Sequence, residues 1–428
     1  MMRPPAHAPA PGQARHKRWA ASLDVHIHPS VPDVLFLLAR GPLPVLPVGS
    51  NREVIVDIPC ANAVLRGADI YAVGVHAAEA PLRPGDPVSV FVDLDGRCLR
   101  GQSKRYTGSK VFIGNGHALL GRDDLYRFSP KELKDRGVGV LMTEPIYESP
   151  SLNDIFDHGL VLQNLPSILV SHALQPEPHH TILDMCAAPG GKTTHIAALT
   201  DNKATIIALD RSKPKILRLA AHVQALGWSS IRPLVCDATA CVLSPERSAA
   251  FNWDSDLPAP GSRIRALPRE SFDRILLDGP CSALGQRPSF TSSVNPAILK
   301  HHPAYQRSIF HAAHALLKPG GRLVYSTCTF TIDENERNVA SFLAEFPDME
   351  LVRHDPASDP VDWRQAAQPG HPSVAFPTEA DRASVCRFDP HRPTSVVLGP
   401  DGSPLELDTI GFFFAVFRKH ARPAAPSP

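Results

Sequence analysis

Hydrophobic positions follow three rhythms along the 428 residues. Up to about residue 50 they are sparse and broken by proline, with one apolar piece, "DVLFLLARG". From Glu53 to about Thr143 they alternate in short runs: "EVIVDI", "IYAVGV", "DPVSVFVDL" and "KVFIGNG". Between these lie "LRPGD", "LDGR" and "TGSK". Period-two runs punctuated by turn residues at this spacing predict a small, mostly β domain ahead of the main body. From Thr181 the runs become apolar on both faces and alternate with helical periodicity. "TILDM", "ATIIALD", "IRPLVCD", "FDRILLD", "RLVYSTC" and a late "GFFFAVFR" read as strands. "TTHIAALT", "KPKILRLAAHVQALG", "AYQRSIFHAAHALL" and "DENERNVASFLAEF" read as helices. Alternation of this kind predicts an α/β domain with a parallel sheet covered by helices, whose ligands sit beyond the strands' carboxyl ends. Residues 240–270 and 356–408 hold neither period for long and read as surface insertions. The predicted organisation is a Pro-rich segment over 1–50, a β domain over 51–144, an α/β domain over 145–420 and a disordered tail over 421–428.

Composition changes this picture little. At 43% hydrophobic and 20% charged residues the chain is an ordinary globular one, and a net charge of +1 leaves nucleic-acid binding to some local basic face. The 44 prolines crowd the first residues, 356–404 and the last few, which predicts extended or disordered segments there. Eight cysteines without a metal-ligand CxxC pair predict reduced thiols, no bound metal and a cytoplasmic protein. No apolar run is long enough to span a membrane, and none near the start resembles a secretory signal. The first acid is Asp24, so an organelle-targeting leader remains an alternative.

The strand ends carry the chemistry. "LDMCAAPGGKTTH" is a strand, a loop of small residues (Cys186, Ala187, Ala188, Pro189, Gly190, Gly191) and a helix opening at Lys192. Such a loop lets backbone N–H groups approach a ligand at a helix N-terminus. It is neither GxGxxG nor a P-loop, which points to a nucleoside without phosphates. Asp210 ends the second strand, where an acid holds ribose hydroxyls; Asp237 ends the third, placed for an adenine's amino edge. Each alone reads equally as a turn or a helix cap. Together they fit S-adenosylmethionine. The fourth strand ends in Asp278, Gly279, Pro280 and Cys281, and "YSTCT" ends another in Cys328. A lone cysteine is more often core packing. Two at neighbouring strand tips beside a methyl donor point to methylation of a pyrimidine at carbon 5, where a thiolate first adds to carbon 6. Asp278 would bind the base's N3 and amino edge, and Lys192 would lower a thiol's pKa.

"DMCAAPGGKT", "DGPCSALGQRP" and "YSTCT" closely resemble the motifs of the Sun-domain RNA (cytosine-5) methyltransferases. The resemblance covers about 145–345 and returns at "RFDP" and "IGFFFAVF". It implies a Rossmann-like methyltransferase core, with S-adenosylmethionine contacts from the loop at 186–192 and from Asp210, Asp237 and Asp278. It further implies that Cys328 is the nucleophile, that Cys281 assists product release and that Asp278 contacts the base. The chain departs at Gly279 and Ala283, where Ala and Gly are more usual. The β domain resembles a PUA domain, and the combination resembles the PUA-containing branch of the family. That branch implies a monomer acting on cytosine 72 in the tRNA acceptor stem, with the 3′ CCA end read by the PUA domain, and also on mRNA hairpins of similar sequence. Arg66, Tyr71, Arg100, Lys104 and Arg105 are candidate RNA contacts, while Leu99 stands where the family has a lysine. Two other classes compete. A non-catalytic RNA-binding protein would have lost Cys328, Asp278 or the "PGGK" loop, and an amino-group methyltransferase would survive loss of Cys328.

Overall fold

The computed structural model describes residues 24–28, 30–38, 41–149, 161–290, 295–357, 359, 361–364, 367–390, 394–398, 404–407 and 409–421. They divide into two compact units, one from 1–155 with 288–293 and the other from 156–287 with 294–428.

The first unit opens with an antiparallel pair, β1 (Asp24–Ile27) and β2 (Leu35–Leu38). Its main sheet has six strands: β3 (Arg52–Val56), β4 (Ile70–Tyr71), β5 (Val75–Ala78), β6 (Pro87–Asp93), β7 (Lys110–Ala118) and β8 (Val138–Pro145). Their order is β4-β8-β7-β6-β3-β5, antiparallel except where β3 runs beside β6. The alternating valines of "VSVFVD" turn Val88, Val90 and Val92 inward against Val54, Val56, Ile113 and Val140. Helix α1 (Ile58–Leu65) adds Ala61 and Val64 to that core, and Asp57 caps it by accepting from Cys60 N at 2.9 Å. The run "IYAVGV" is not one strand. It breaks into β4, a 3₁₀ turn over Ala72–Gly74 and β5. Gly74 approaches Cys60 so closely that a Cβ would lie 2.7 Å from its sulfur. Residues 94–109, between β6 and β7, carry no regular element.

The second unit is built on eight strands among the described residues. They are β9 (Thr181–Asp184), β10 (Thr205–Asp210), β11 (Ile231–Val235), β12 (Phe272–Asp278), β13 (Leu317–Thr327), β14 (Met349–Leu351), β15 (Cys386–Phe388) and, after the hairpin β16 (Thr394–Leu398) and β17 (Pro404–Leu407), β18 (Phe412–Lys419). The order is β11-β10-β9-β12-β13-β18-β14, with β15 also paired to β18. The first five are parallel, as their two-faced apolar runs predict. The expectation of a parallel sheet fails at β18, which runs antiparallel to β13, β14 and β15. The chain enters β18 at the carboxyl tip of β13, where Phe413 lies opposite Thr327, so no crossover helix is needed.

Helices α2 (Leu165–Ala173), α3 (Gly191–Leu199), α4 (Lys213–Ala225), α5 (Pro296–Leu316) and α6 (Glu336–Glu345) accompany this sheet. Phe310 of α5 stacks on Phe342 of α6 with centroids 3.7 Å apart, and both rings meet Phe417 of β18. Full burial of such side chains contributes about 1.5–3 kcal/mol each. The two presumed insertions need correction. Cys241, Ile264 and Leu267 from 240–270 are buried in the main core, and Pro245–Ala249 is a short helix. From 356–408 come β15, a helix over Glu379–Ser384 and Trp363, which is 1% exposed and packs against Phe414. Each stretch buries isolated large side chains without periodicity, so pattern alone reads it as loop. The tail at 422–428 and the segment at 1–23 lie outside the described residues.

Candidate active site

Five carboxyl ends line up in the order of strands β11, β10, β9, β12 and β13. At β9, Asp184 is fully buried, accepts from Thr193 Oγ1 at 2.7 Å and from Cys186 N at 3.3 Å, and is raised to about 7 chiefly by burial. It thereby ties the strand tip to both the loop and α3. The loop is pinned further by Met185 N to Leu276 O (3.0 Å) and Ala187 N to Leu209 O (2.7 Å). Gly190 takes φ +115° immediately before α3, and a Cβ there would stand 2.3 Å from Leu219 Cδ1. Ala187, Ala188, Pro189 and Gly191 complete the small-residue turn. The Cys186 thiol is raised well above its ordinary value by burial.

Asp210, the last residue of β10, accepts from Ser212 N at 2.8 Å through one oxygen. Asp237, two residues beyond β11, uses one oxygen for Thr239 Oγ1 (2.7 Å) and Thr239 N (3.0 Å), bonds that hold its carboxyl below the usual range. The second oxygen of each has no hydrogen-bond partner among the described residues. Two acceptors at adjacent strand tips beside a tight small-residue turn suit a ribose diol and an amino group, as S-adenosylmethionine would present.

The other half of the site is at β12 and β13. Asp278 accepts from Lys192 Nζ at 2.7 Å through one oxygen and from Ser326 Oγ at 2.6 Å through the other. Lys192, Asp278 and the two thiols are therefore brought together. Cys281 Sγ and Cys328 Sγ lie 3.4 Å apart, both half-buried, and Gly285 N donates to Cys328 O at 3.0 Å. The pair is electrostatically unequal. The Cys328 thiol is lowered, first by its hydrogen bond with Cys281 and then by Gln286 and the Lys192 charge, against burial and Asp278. The Cys281 thiol is raised well above its ordinary value by that same bond and by burial. Of the two, Cys328 is the thiol that gives up its proton more readily.

Ser326 and Asp184 escaped the reading of the sequence. A serine inside "YSTC" and an acid before a small-residue loop have no local signal beyond strand and turn. The candidate RNA residues are placed as follows. Arg66, Tyr71, Arg100, Lys104 and Arg105 are all exposed, and the last three share the irregular stretch 94–109 with Leu99, itself 74% exposed. Arg66 reaches Pro288 O at 3.5 Å, and Arg100 donates to Val75 O at 3.3 Å. Arg105 is paired with Glu53 (3.3 Å) and Glu79 (3.2 Å), so its charge is locally balanced.

Residues 171–383 match the family model described as 16S rRNA methyltransferase RsmB/F. The tRNA (cytosine(72)-C(5))-methyltransferase NSUN6 of Mus musculus is 44% identical over 336 residues, which is 78% of this chain and 67% of that protein. Its namesake in Homo sapiens is 40% identical over 412 residues, covering 93% and 82% respectively. The crystal structure of NSun6 from Pyrococcus horikoshii with SFG is similar at a TM-score of 0.66 and 28% identity, over 95% of this chain and 87% of that one.

Proposed function

The chain belongs to the RsmB/F Sun-domain family of RNA cytosine-5 methyltransferases, which use S-adenosylmethionine, and on that premise we propose that it methylates cytosine 72 of tRNA through a covalent adduct on Cys328. The observation that carries the covalent reading is the pair of unequal sulfurs 3.4 Å apart beside a lysine–carboxylate pair.

In this reading the Cys328 thiolate adds to carbon 6 of the cytosine. The S–C6 bond forms as the C5–C6 double bond opens, leaving carbon 5 electron-rich. Bound S-adenosylmethionine supplies the electrophilic methyl group that carbon 5 takes. A cytosine carrying a proton at N3 donates that N–H and its amino N–H to Asp278, which Ser326 and Lys192 fix, so the electron pair that addition pushes toward N3 leaves it neutral rather than anionic. Carbon 5 then loses its proton to a base, the C5–C6 double bond re-forms and Cys328 leaves as a thiolate. The Cys281 S–H stabilises that departing sulfur. The donor's contacts come from the loop at 186–192, Asp210 and Asp237.

Residues 51–144 read as a PUA-like module that takes the 3′ CCA end, with Arg66, Tyr71, Arg100 and Lys104 as exposed contacts and Arg105 a weaker one because of its acidic partners. The chain acts in this reading as a cytoplasmic monomer, with mRNA hairpins of similar sequence as a second substrate class. Bisulfite sequencing of tRNA transcripts incubated with the protein and S-adenosylmethionine tests the assignment. Protection at cytosine 72 with the native protein, and none with Cys328→Ala, is the expected result. Protection elsewhere, or unchanged protection with Cys328→Ala, overturns it.

A further inference from the structure

The residues that hold the two thiols come from one buried dipeptide. Glu334 and Asn335 lie between the Cys328 tip and α6, and both are fully buried. Glu334 Oε2 accepts from Ser282 N at 2.9 Å and from Gln306 Nε2 at 3.1 Å. Its Oε1 accepts from Ser282 Oγ at 2.6 Å and from Thr331 Oγ1 at 2.8 Å. Gln306 Nε2 also donates to Pro280 O at 2.9 Å, and Gln306 Oε1 is fixed by Asn338 Nδ2 at 2.9 Å. Of the residues flanking Cys281, Ser282 therefore hangs on Glu334 directly and Pro280 through Gln306. Asn335 does the same for Cys328. Its Oδ1 accepts from Thr327 Oγ1 at 2.6 Å, and its Nδ2 donates to Thr329 O at 3.0 Å. The two brackets touch at Ser282 Oγ and Thr329 Oγ1, 2.8 Å apart.

We infer that Glu334 and Asn335 are positioning residues that divide the reaction between them: Asn335 holds Cys328 for attack, and Glu334 holds Cys281 for release. The inference rests on the covalent reading above. Three of the four bonds to Glu334 reach the Cys281 side, whereas Thr327 and Thr329 keep Asn335 whatever stands at 334. A buried network that served the fold alone would, when cut at either residue, slow both steps together. A network divided between the thiols makes the two cuts differ in kind, because a small displacement of a reacting group costs up to about 100-fold in the step it serves and little elsewhere.

The full-length protein, a tRNA transcript and S-adenosylmethionine provide the test. Three readouts are followed: methyl turnover, the covalent protein–RNA band on a denaturing gel, and binding of S-adenosylmethionine as a check of folding. Glu334→Ala is expected to bind the donor, turn over about 10- to 100-fold more slowly and accumulate the covalent band. Asn335→Ala is expected to slow turnover with no band. Glu334→Gln stays close to the native protein, because its amide oxygen can accept from Ser282 N and Gln306 while its NH₂ donates to Ser282 Oγ and Thr331 Oγ1. Cys281→Ala is the reference. A band there but not with Glu334→Ala overturns the positioning role, whereas no band with Cys281→Ala overturns the two-thiol reading itself. A band with Asn335→Ala also overturns the division. If either alanine variant loses donor binding, Ser282→Ala and Thr327→Val each remove one side-chain bond of the same brackets from the other side. The same split is expected of them, and equal band fractions overturn the proposal.

Discussion

Replacing Lys192 with methionine keeps an unbranched side chain, one atom shorter, and removes its charge. In the native protein Nζ lies 2.7 Å from Asp278 Oδ2, with the two side chains 14% and 30% exposed. Solvent-exposed pairs contribute at most about 1 kcal/mol, while breaking a fully buried pair costs about 3–5 kcal/mol, so this half-buried pair is placed at about 2 kcal/mol. Expressed in the transition state, that is about a 30-fold loss of rate. A second effect has a definite sign. Lys192 helps hold the Cys328 thiol low, so its removal moves that pKa upward. Attack needs the thiolate, and the rate therefore rises as pH climbs through the Cys328 pKa. In Lys192→Met that limb moves to higher pH. The assay is single-turnover methyl transfer to a tRNA transcript across neutral and mildly alkaline pH. The expected result is a large deficit at the acidic end that narrows as pH rises. An equal loss at every pH would mean that Lys192 only steadies Asp278, and no loss would remove the pair from the mechanism.

Three further substitutions test separate parts of the account. Ala283 sits at φ +55°, a left-handed conformation that costs a side-chain residue about 1–2 kcal/mol, while glycine's extra unfolded-state freedom gives back about 0.4–1. Ala283→Gly should therefore raise stability by about 0.5–1 kcal/mol, seen as a higher denaturant midpoint at unchanged slope; a lower midpoint contradicts the strain. Lys104→Ala should raise the KM for tRNA and reduce the salt dependence by about one phosphate contact, leaving the KM for S-adenosylmethionine alone. Arg105→Ala should do less, because Glu53 and Glu79 already occupy its charge; an equal effect of the two would refute that ranking.

How much of this was legible in the sequence follows from the range of the interactions. The strands from Thr181 to Thr327 are read correctly because burial on both faces is written into each run. Cys281 and Cys328 stand out because each ends such a strand, and the fold places strand ends together. What the sequence hid is non-local. "DENERN" looks like an acidic, solvated helix start, yet Glu334 and Asn335 are buried because their partners lie at 280–282, 306 and 327–331. Cys241, Ile264 and Leu267 fill the core from a stretch without periodicity. The antiparallel β18 is invisible to a pattern that reports burial but not direction. Ala283 gave only a departure in residue type; its backbone angle supplies the physical meaning.

The central claim is that Cys328, and not Cys281, bonds to the target base. RNA carrying 5-fluorocytidine at the target position tests it most directly, because carbon 5 then has no proton to lose after methylation and the adduct cannot resolve. Protease digestion and mass spectrometry of the trapped native protein should place the methylated nucleotide on the peptide that contains Cys328. A nucleotide on the Cys281 peptide would reverse the roles of the two sulfurs, and unmodified cysteines throughout would contradict a covalent mechanism.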